Sequence, residues 1–168
     1  NCASLEWAAP LMPAKLTSLG GGAFSGCIAL SGDVVFPASE IVVTTDYSSQ
    51  VAQYGWFYAS KITSCDMSKA MMTTISGASF SQWKELKNVK FPNGVTSLGD
   101  EAFNGASQLV AVEPFLPNTL TYIGRGCFQD CSNLEGDLVI NGDNPITAVH
   151  NSNNISIGAF AGCGKIKS

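Results

Sequence analysis

The stretch LTSLGGGAFSGCIALSGD at residues 16–33 returns as LTYIGRGCFQDCSNLEGD at residues 120–137. Leu, Thr, Gly, Gly, Phe, Cys, Leu, Gly and Asp recur in register at an offset of 104 residues. A third copy, VTSLGDEAFNGASQL, spans residues 95–109, and a weaker fourth, MTTISGASFSQWKEL, spans residues 72–86. Self-similarity of this kind predicts that one short structural unit is repeated and stacked along the chain.

Each unit is centred on one aromatic residue, which we call the anchor. A hydrophobic residue stands five positions before the anchor, a small residue or Cys three after it, and Leu or Ile six after it. Such an apolar pattern predicts a buried column along the stack. The predicted anchors, 23 to 32 residues apart, are Phe24, Trp56, Phe80, Phe103, Phe128 and Phe160.

A second pattern follows each anchored turn. In Leu86-x-x-Val89-x-Phe91-Pro92 the apolar residues alternate before a proline, which indicates a short strand that ends there. Because one unit of this size cannot bury its apolar face alone, we expect strand to lie on parallel strand. The prediction is an α/β-type repeat solenoid: a right-handed leucine-rich-repeat superhelix with a parallel sheet on one face, built mostly of short strands and turns.

The repeat also sets the expected domain organisation. Residues 1–168 form a single segment of about six to seven units. Cys2-Ala-Ser-Leu5 matches Cys131-Ser-Asn-Leu134, so the chain starts inside a repeat. We therefore expect a segment of a longer protein, truncated at both ends, with any export signal outside it.

The unit Leu-Thr-x-Ile-Gly-x-x-Ala/Cys-Phe-x-x-Cys-x-x-Leu, followed by Val-x-Phe-Pro, resembles the BspA-like leucine-rich repeat family. The resemblance covers nearly the whole chain, apart from inserted loops in the two long units. It implies a bacterial or protozoan protein, secreted or at the cell surface, that binds host proteins or other cells. It implies no catalytic residues.

The cysteines belong to the repeat rather than to a reactive site. One place in the unit, three after the anchor, takes Cys, Ala or Trp, as expected of a packing position. The residues at this place are Cys2, Cys27, Ala59, Trp83, Ala106, Cys131 and Cys163. Cys65 is expected on the inner side of its strand, and Cys127 at an alanine position. Buried thiols are the favoured interpretation over a disulfide between neighbouring units or a metal site.

Other motifs give little support to chemistry. His150 is the one histidine and lies in an insert, and Asp33, Asp137 and Asp143 do not form a calcium-loop motif. A formal charge of −4 argues against nucleic-acid binding, and no apolar run is long enough to cross a membrane. We expect no cofactor, no metal and no catalytic residue.

Function is therefore expected on the surface, on the outward side of the strands. The predicted binding residues of this sheet face are Trp7, Asp33, Val35, Ser64, Asp66, Asn88, Lys90, Glu113, Asp137 and Val139. Trp7 could equally pack against an upstream unit. A strip of Lys84, Lys87 and Lys90 is interpreted as a solvated face. The aromatic residues Tyr47, Tyr54, Phe57 and Tyr58 could form a contact patch or cover the core.

The leading hypothesis is a non-catalytic adhesion module that recognises a protein or glycan on host or neighbouring cells through its sheet face and inserted loops. Two alternatives remain: a structural spacer that presents another domain, and an accessory domain of a carbohydrate-processing enzyme. A contiguous exposed apolar patch on the sheet would favour binding. A uniformly Ser/Thr/Asn surface would favour the spacer.

Overall fold

A computed structural model describes residues 3–6, 12–44, 55–114, 116–137 and 158–167. Eleven short strands are found among these residues, and all of their pairings are parallel. The strands are β1 (Ser18–Gly20), β2 (Ser31–Val35), β3 (Val42–Thr44), β4 (Lys61–Asp66), β5 (Thr74–Ile75), β6 (Asn88–Lys90), β7 (Ser97–Leu98), β8 (Ala111–Glu113), β9 (Tyr122–Ile123), β10 (Glu135–Asp137) and β11 (Lys165–Lys167).

The strands form two main sheets that run along the repeat. One is four-stranded in the order β2-β4-β6-β8, and the other is three-stranded in the order β5-β7-β9. Two further pairs, β1 with β3 and β10 with β11, belong to the outer parts of the described chain. Consecutive strands of a sheet come from consecutive units, so each regular unit supplies one strand to each main sheet. The chain is thus built as a repeat fold with parallel sheets.

The anchors hold neighbouring units together at the turns. The Phe80 N–H donates to the Ala102 carbonyl, and the Phe103 N–H donates to the Cys127 carbonyl, both at 2.7 Å. In each case the acceptor is the residue before the next anchor. The rings follow the same order and stack nearly parallel, with centroids 4.6 Å apart for Phe80 and Phe103 and 4.9 Å apart for Phe103 and Phe128. One continuous apolar core therefore runs through the stacked units.

The described residues contain no helix, which differs from the α/β-type prediction. The physical reason lies in the turns around each anchor. Residues two before the anchor, such as Ala78 and Glu101, and two after it, such as Gln82 and Asp130, have positive φ values of 55° to 60°. A left-handed residue interrupts a right-handed helix, so each connection closes as a turn instead.

The unit at Trp56 departs from the predicted register. Trp56 does align with Phe80, since its N–H donates to Ser79 and the two rings lie 5.1 Å apart. Towards the N-terminus, however, Phe24 stacks on Phe57 at 5.0 Å, and the Phe24 N–H donates to Trp56. One unit thus uses two adjacent aromatic residues, one for each neighbour. Phe57 is fully buried, so it covers the core and does not form a contact patch.

The same shift corrects the residue at the cysteine place. Ala59 was assigned to it, but Ala59 is exposed with φ 63°, the position that Gly26 holds after Phe24. Ser60 is buried instead, and its N–H donates to the Phe57 carbonyl as that of Cys27 donates to Phe24. The assignment of Ala59 was therefore wrong by one residue.

Burial of the predicted core varies along the stack. The side chains of Trp56, Phe80, Phe103 and Phe128 are fully buried. Phe24 and Phe160 are half-buried against the core. They are the outermost anchors of the described residues, with Phe24 stacked on Phe57 and Phe160 on Phe128.

Candidate binding face

The four-stranded sheet separates a buried row from two outward rows. The buried row consists of Val34, Cys65, Val89 and Val112, which pair in register. Each is at most 3% exposed, so this row packs the sheet against the core. Because successive strand residues point to opposite sides, the residues before and after them face outward. The first outward row is Asp33, Ser64, Asn88 and Ala111, and the second is Val35, Asp66, Lys90 and Glu113. We call these two rows the binding face.

The chemistry of the binding face changes from strand to strand. The Ser64 hydroxyl donates to Asp33 Oδ1 at 2.6 Å, which joins β4 to β2. Among the described residues, Asn88, Lys90 and Glu113 form no hydrogen bond through their side chains. Val35 is 50% exposed and is the one exposed large hydrophobic residue of the binding face. The face is therefore neither a contiguous apolar patch nor a uniform Ser/Thr/Asn surface.

The pKa of Asp66 is determined by several neighbouring groups. Partial burial by itself would raise the pKa of Asp66, but several groups act in the opposite direction. The hydroxyl and the backbone N–H of Ser68 donate to its Oδ1 at 2.6 Å and 2.9 Å, and Lys90 and Lys69 add positive charge. The pKa of Asp66 is therefore lowered, and the carboxylate is ionised at neutral pH.

The three-stranded sheet presents a different surface. Its outward residues are Thr74, Ser97 and Tyr122, which pair in register. Beside them, the Thr96 hydroxyl donates to the Thr73 carbonyl at 3.2 Å and the Thr121 hydroxyl donates to the Thr96 carbonyl at 3.1 Å. The threonine hydroxyls thus hydrogen-bond unit to unit. These side chains stabilise the stack, whereas several side chains of the binding face are left for solvent.

The described cysteines are set in the core as thiols. Cys131 Sγ donates to the Phe103 carbonyl at 3.1 Å, and Cys163 Sγ donates to the Phe128 carbonyl at 3.0 Å, each reaching the preceding anchor. Burial is the main cause that raises the pKa of Cys65, Cys127 and Cys131, and it raises that of Cys163 to about 11. A thiol that stays protonated is a poor nucleophile and a poor metal ligand. Cys163, predicted as core, is half-buried.

No disulfide and no group of three His, Cys, Asp or Glu side chains able to hold a metal ion is formed by the residues that the structure describes. The acidic side chains near Arg125 form contacts between turns of consecutive units. Asp100 Oδ1 accepts from the Arg125 backbone N–H at 2.9 Å and from the Tyr122 hydroxyl at 3.3 Å, and Glu101 forms an ion pair with Arg125 at 3.4 Å. These contacts join consecutive units.

Two of the predicted binding residues and three other candidate residues lie outside the described part of the chain. Trp7 and Val139 of the predicted binding residues lie outside the described residues, as do Cys2, His150 and Asp143. Asp137 ends β10, and its backbone pairs with Lys167. Neither the role of the remaining binding residues nor that of the inserted loops is tested by their positions, so both stay predictions.

Two features escaped the sequence reasoning. The strands of the three-stranded sheet are two residues long, too short for an alternation to be recognised. Lys61 cannot be grouped with the later lysines from the sequence, because only the pairing of β4 with β6 brings these strands together. The repeated Thr before the hydrophobic residue, as in Thr96 and Thr121, was the available signal for the second sheet.

Short parallel strands, one per sheet in each regular unit of about 24 residues, define the class of repeat proteins, and this unit length is that of leucine-rich repeats. The model of one family, described as BspA type leucine rich repeat region, matches in six copies over residues 1–135 and 50–168. The chain therefore belongs to the BspA-type leucine-rich repeat family. Neither curated proteins nor solved structures gave a match.

Membership in this family indicates the kind of module that the chain represents and where such modules are typically found. The family is generally a non-catalytic repeat module, and its members are typically secreted or found at the cell surface. Within the described residues, no helix is long and apolar enough to cross a membrane.

Proposed function

We propose that the chain is a non-catalytic adhesion module that binds a protein or glycan of a host or neighbouring cell through the binding face. In this proposal the units form a right-handed solenoid, the inserted loops contribute contacts, and the module acts outside the cell or at its surface. It belongs to a larger exported protein. The extended face of a solenoid is a common place for ligand binding.

One observation carries the proposal. On the inner side of the four-stranded sheet every position is apolar, as packing demands, whereas the outer rows hold acidic, basic, amide, hydroxyl and aliphatic side chains. Stacking of the units uses the inner row, the backbone hydrogen bonds and, in the outer rows, the bond from Ser64 to Asp33. A regular backbone with irregular outward chemistry is what recognition of one particular ligand needs, since specificity comes from side chains that differ along the surface.

The hydrogen bonds beside the two sheets support the choice of face. Just before β7 and β9, the hydroxyls of Thr96 and Thr121 are used within the chain, at 3.2 and 3.1 Å. Asn88, Lys90 and Glu113 have no such bonds among the described residues, so they can meet a ligand without breaking contacts of the fold. A ligand that binds these groups therefore does not lose affinity to competition from internal hydrogen bonds.

A matched pair of double variants tests this proposal. Ser64→Arg with Ala111→Arg places two large side chains on the binding face, and Thr74→Arg with Ser97→Arg places the same charge on the other sheet. Purified wild-type protein is first screened on immobilised extracellular-matrix proteins and glycans. We expect the first pair of substitutions to abolish binding and the second pair to preserve it. Equal effects of the two pairs, or no ligand on the whole array, would contradict the proposal and favour the spacer.

A further inference from the structure

The charges of the chain are unevenly distributed. Residues 61–90 hold five of the nine basic residues but two of the thirteen acidic ones. The chain as a whole has a formal charge of −4, so the remaining residues carry a larger negative excess. This cationic segment comprises Lys61, Lys69, Lys84, Lys87 and Lys90, with Asp66 and Glu85 as its acids.

The fold brings three lysines of this segment onto or beside two neighbouring strands. Lys61 begins β4 and Lys90 ends β6, and the Lys87 N–H donates to the Thr63 carbonyl at 2.8 Å, which places Lys87 beside β4 just before β6. We call Lys61, Lys87 and Lys90 the lysine strip. All three are exposed. Lys87 lies just before β6 and Lys90 ends it, so the two residues are about 10 Å apart along the extended chain.

The lysine strip is not neutralised by ion pairs. Within the part of the chain that the structure describes, the two ion pairs are Arg125 with Glu101 and Lys165 with Glu135, and neither involves the strip. Asp66 pairs in register with Lys90 and feels its charge, but it is already hydrogen-bonded by Ser68. The ammonium groups are therefore available to an external anion.

Acidic side chains border the strip on both sides. Asp33 lies on β2, next to β4, and Glu113 lies on β8, directly opposite Lys90 in the register. The cationic surface is thus two strands wide, or about 10 Å. A broad acidic surface would meet these carboxylates and be repelled. A narrow anion that runs along β4 and β6 would avoid these two carboxylates and would meet that of Asp66 beside Lys90.

We propose that the lysine strip binds a linear acidic polysaccharide, with its sulfate or carboxylate groups on the lysines and its chain lying along β4 and β6. This inference rests on the proposed function and gives its ligand a chemical class. Between the lysines, Asn88 supplies an amide for sugar hydroxyl groups, and the Ser64 oxygen, whose hydrogen is donated to Asp33, can still accept from one. Lysine binds sulfate or carboxylate as a point charge, which suits a polymer whose groups vary in position.

Binding to defined probes tests the proposal. The probes are a heparin-derived oligosaccharide, an oligogalacturonate, neutral dextran and poly-glutamate, titrated by calorimetry at several salt concentrations. We expect one or both acidic oligosaccharides to bind with an affinity that falls as salt rises, because counterions are released. We expect dextran not to bind and poly-glutamate to bind more weakly.

Two triple variants with the same change in net charge locate the site. Lys61→Gln, Lys87→Gln and Lys90→Gln should weaken binding by roughly ten-fold or more and flatten the salt dependence. Lys15→Gln, Arg125→Gln and Lys165→Gln, all exposed residues elsewhere, should change the affinity by less than about two-fold.

Three results would overturn this inference. They are equal losses in the two triple variants, poly-glutamate binding as tightly as the oligosaccharides, and no binding of either acidic oligosaccharide. In the last case, a protein ligand that still depends on Ser64 and Ala111 would leave the proposed function intact. If no acidic oligosaccharide binds and no protein ligand depends on Ser64 and Ala111 either, both proposals are refuted.

Discussion

Substitution of Gly99 by alanine should separate neighbouring units at one defined place. A methyl group on Gly99 would lie 2.8 Å from the Gly77 Cα, and the obstructing atoms belong to backbone. Carbon atoms need about 3.5 to 4.0 Å, so the two units would have to move apart by roughly 1 Å. The same geometry recurs one unit later, where a methyl group on Gly124 would lie 2.5 Å from the Gly99 carbonyl carbon.

The expected cost has two parts. Overpacking against an unyielding neighbour costs about 1–3 kcal/mol. Separation also stretches the hydrogen bond from the Gly99 N–H to the Ile75 carbonyl, now 2.8 Å, which is worth about 1 kcal/mol. Gly99→Ala should therefore lower the free energy of unfolding by about 3 kcal/mol. The measurement is equilibrium urea unfolding, followed by the fluorescence of the buried Trp56 and Trp83.

Gly94→Ala is the matched control. A methyl group there would have no heavy atom within 4 Å, and Gly94 does not have a left-handed backbone. Alanine should stabilise the protein by about 0.4–1 kcal/mol, because it restricts the unfolded chain. The two glycine substitutions are thus expected to have opposite signs. Free energies of unfolding that agree within about 0.5 kcal/mol would refute the close stacking of Gly77 and Gly99.

Three further predictions concern single side chains. Trp83→Phe should lower the free energy of unfolding in urea by about 1–2 kcal/mol more than Trp56→Phe does. The reason is that the Trp83 Nε1–H donates to the Ile62 carbonyl at 3.0 Å, while the buried Trp56 Nε1–H has no hydrogen-bond partner. Equal losses of stability would contradict this. Ser60→Ala should raise the free energy of unfolding by about 1 kcal/mol, since its buried hydroxyl has no partner either, and a loss of stability would refute the unsatisfied hydroxyl. Asp66 has a lowered pKa, so its ionised form stabilises the fold above the unfolded value of about 3.9, and this contribution disappears as the pH falls through the folded value. Asp66→Asn should therefore flatten the acid side of the stability–pH curve, and an unchanged curve would contradict the assignment.

The regular part of the repeat could be predicted because its pattern is dense. Around Phe80, Phe103 and Phe128 the spacing of apolar residues is constant, and there the rings stack in that order with centroids 4.6 to 4.9 Å apart. A fixed spacing leaves one way to bury all the anchors together. In Leu86-x-x-Val89-x-Phe91, Val89 likewise lies in β6, and all three apolar residues are buried.

The irregular unit could not be predicted, because one aromatic residue was assumed for each unit. Trp56 and Phe57 are adjacent, and each satisfies the pattern towards a different neighbour. The left-handed φ of Ala59, equivalent to that of Gly26, reveals the shift in three dimensions. Alanine carries no sequence signal for a left-handed residue, in contrast to glycine.

For the candidate site, alternation along the strands was enough to list outward residues, but not to say which of them are neighbours. The rows of Asp33, Ser64 and Asn88 depend on a shift of register between Gly32 and Asp33, which no spacing in the sequence indicates. The lysine strip depends on the pairing of β4 with β6, since Lys61 and Lys87 are far apart in the chain. Surface charge becomes informative only when the register is known.

The central claim is that ligands meet the four-stranded sheet, and an NMR titration tests it most directly. Backbone amide shifts would be followed while the ligand selected on the array is added to the wild-type protein. We expect the largest changes in amide chemical shift to cluster in β4 (Lys61–Asp66) and β6 (Asn88–Lys90) and in their neighbours β2 and β8. Changes concentrated in β5, β7 and β9 would contradict it.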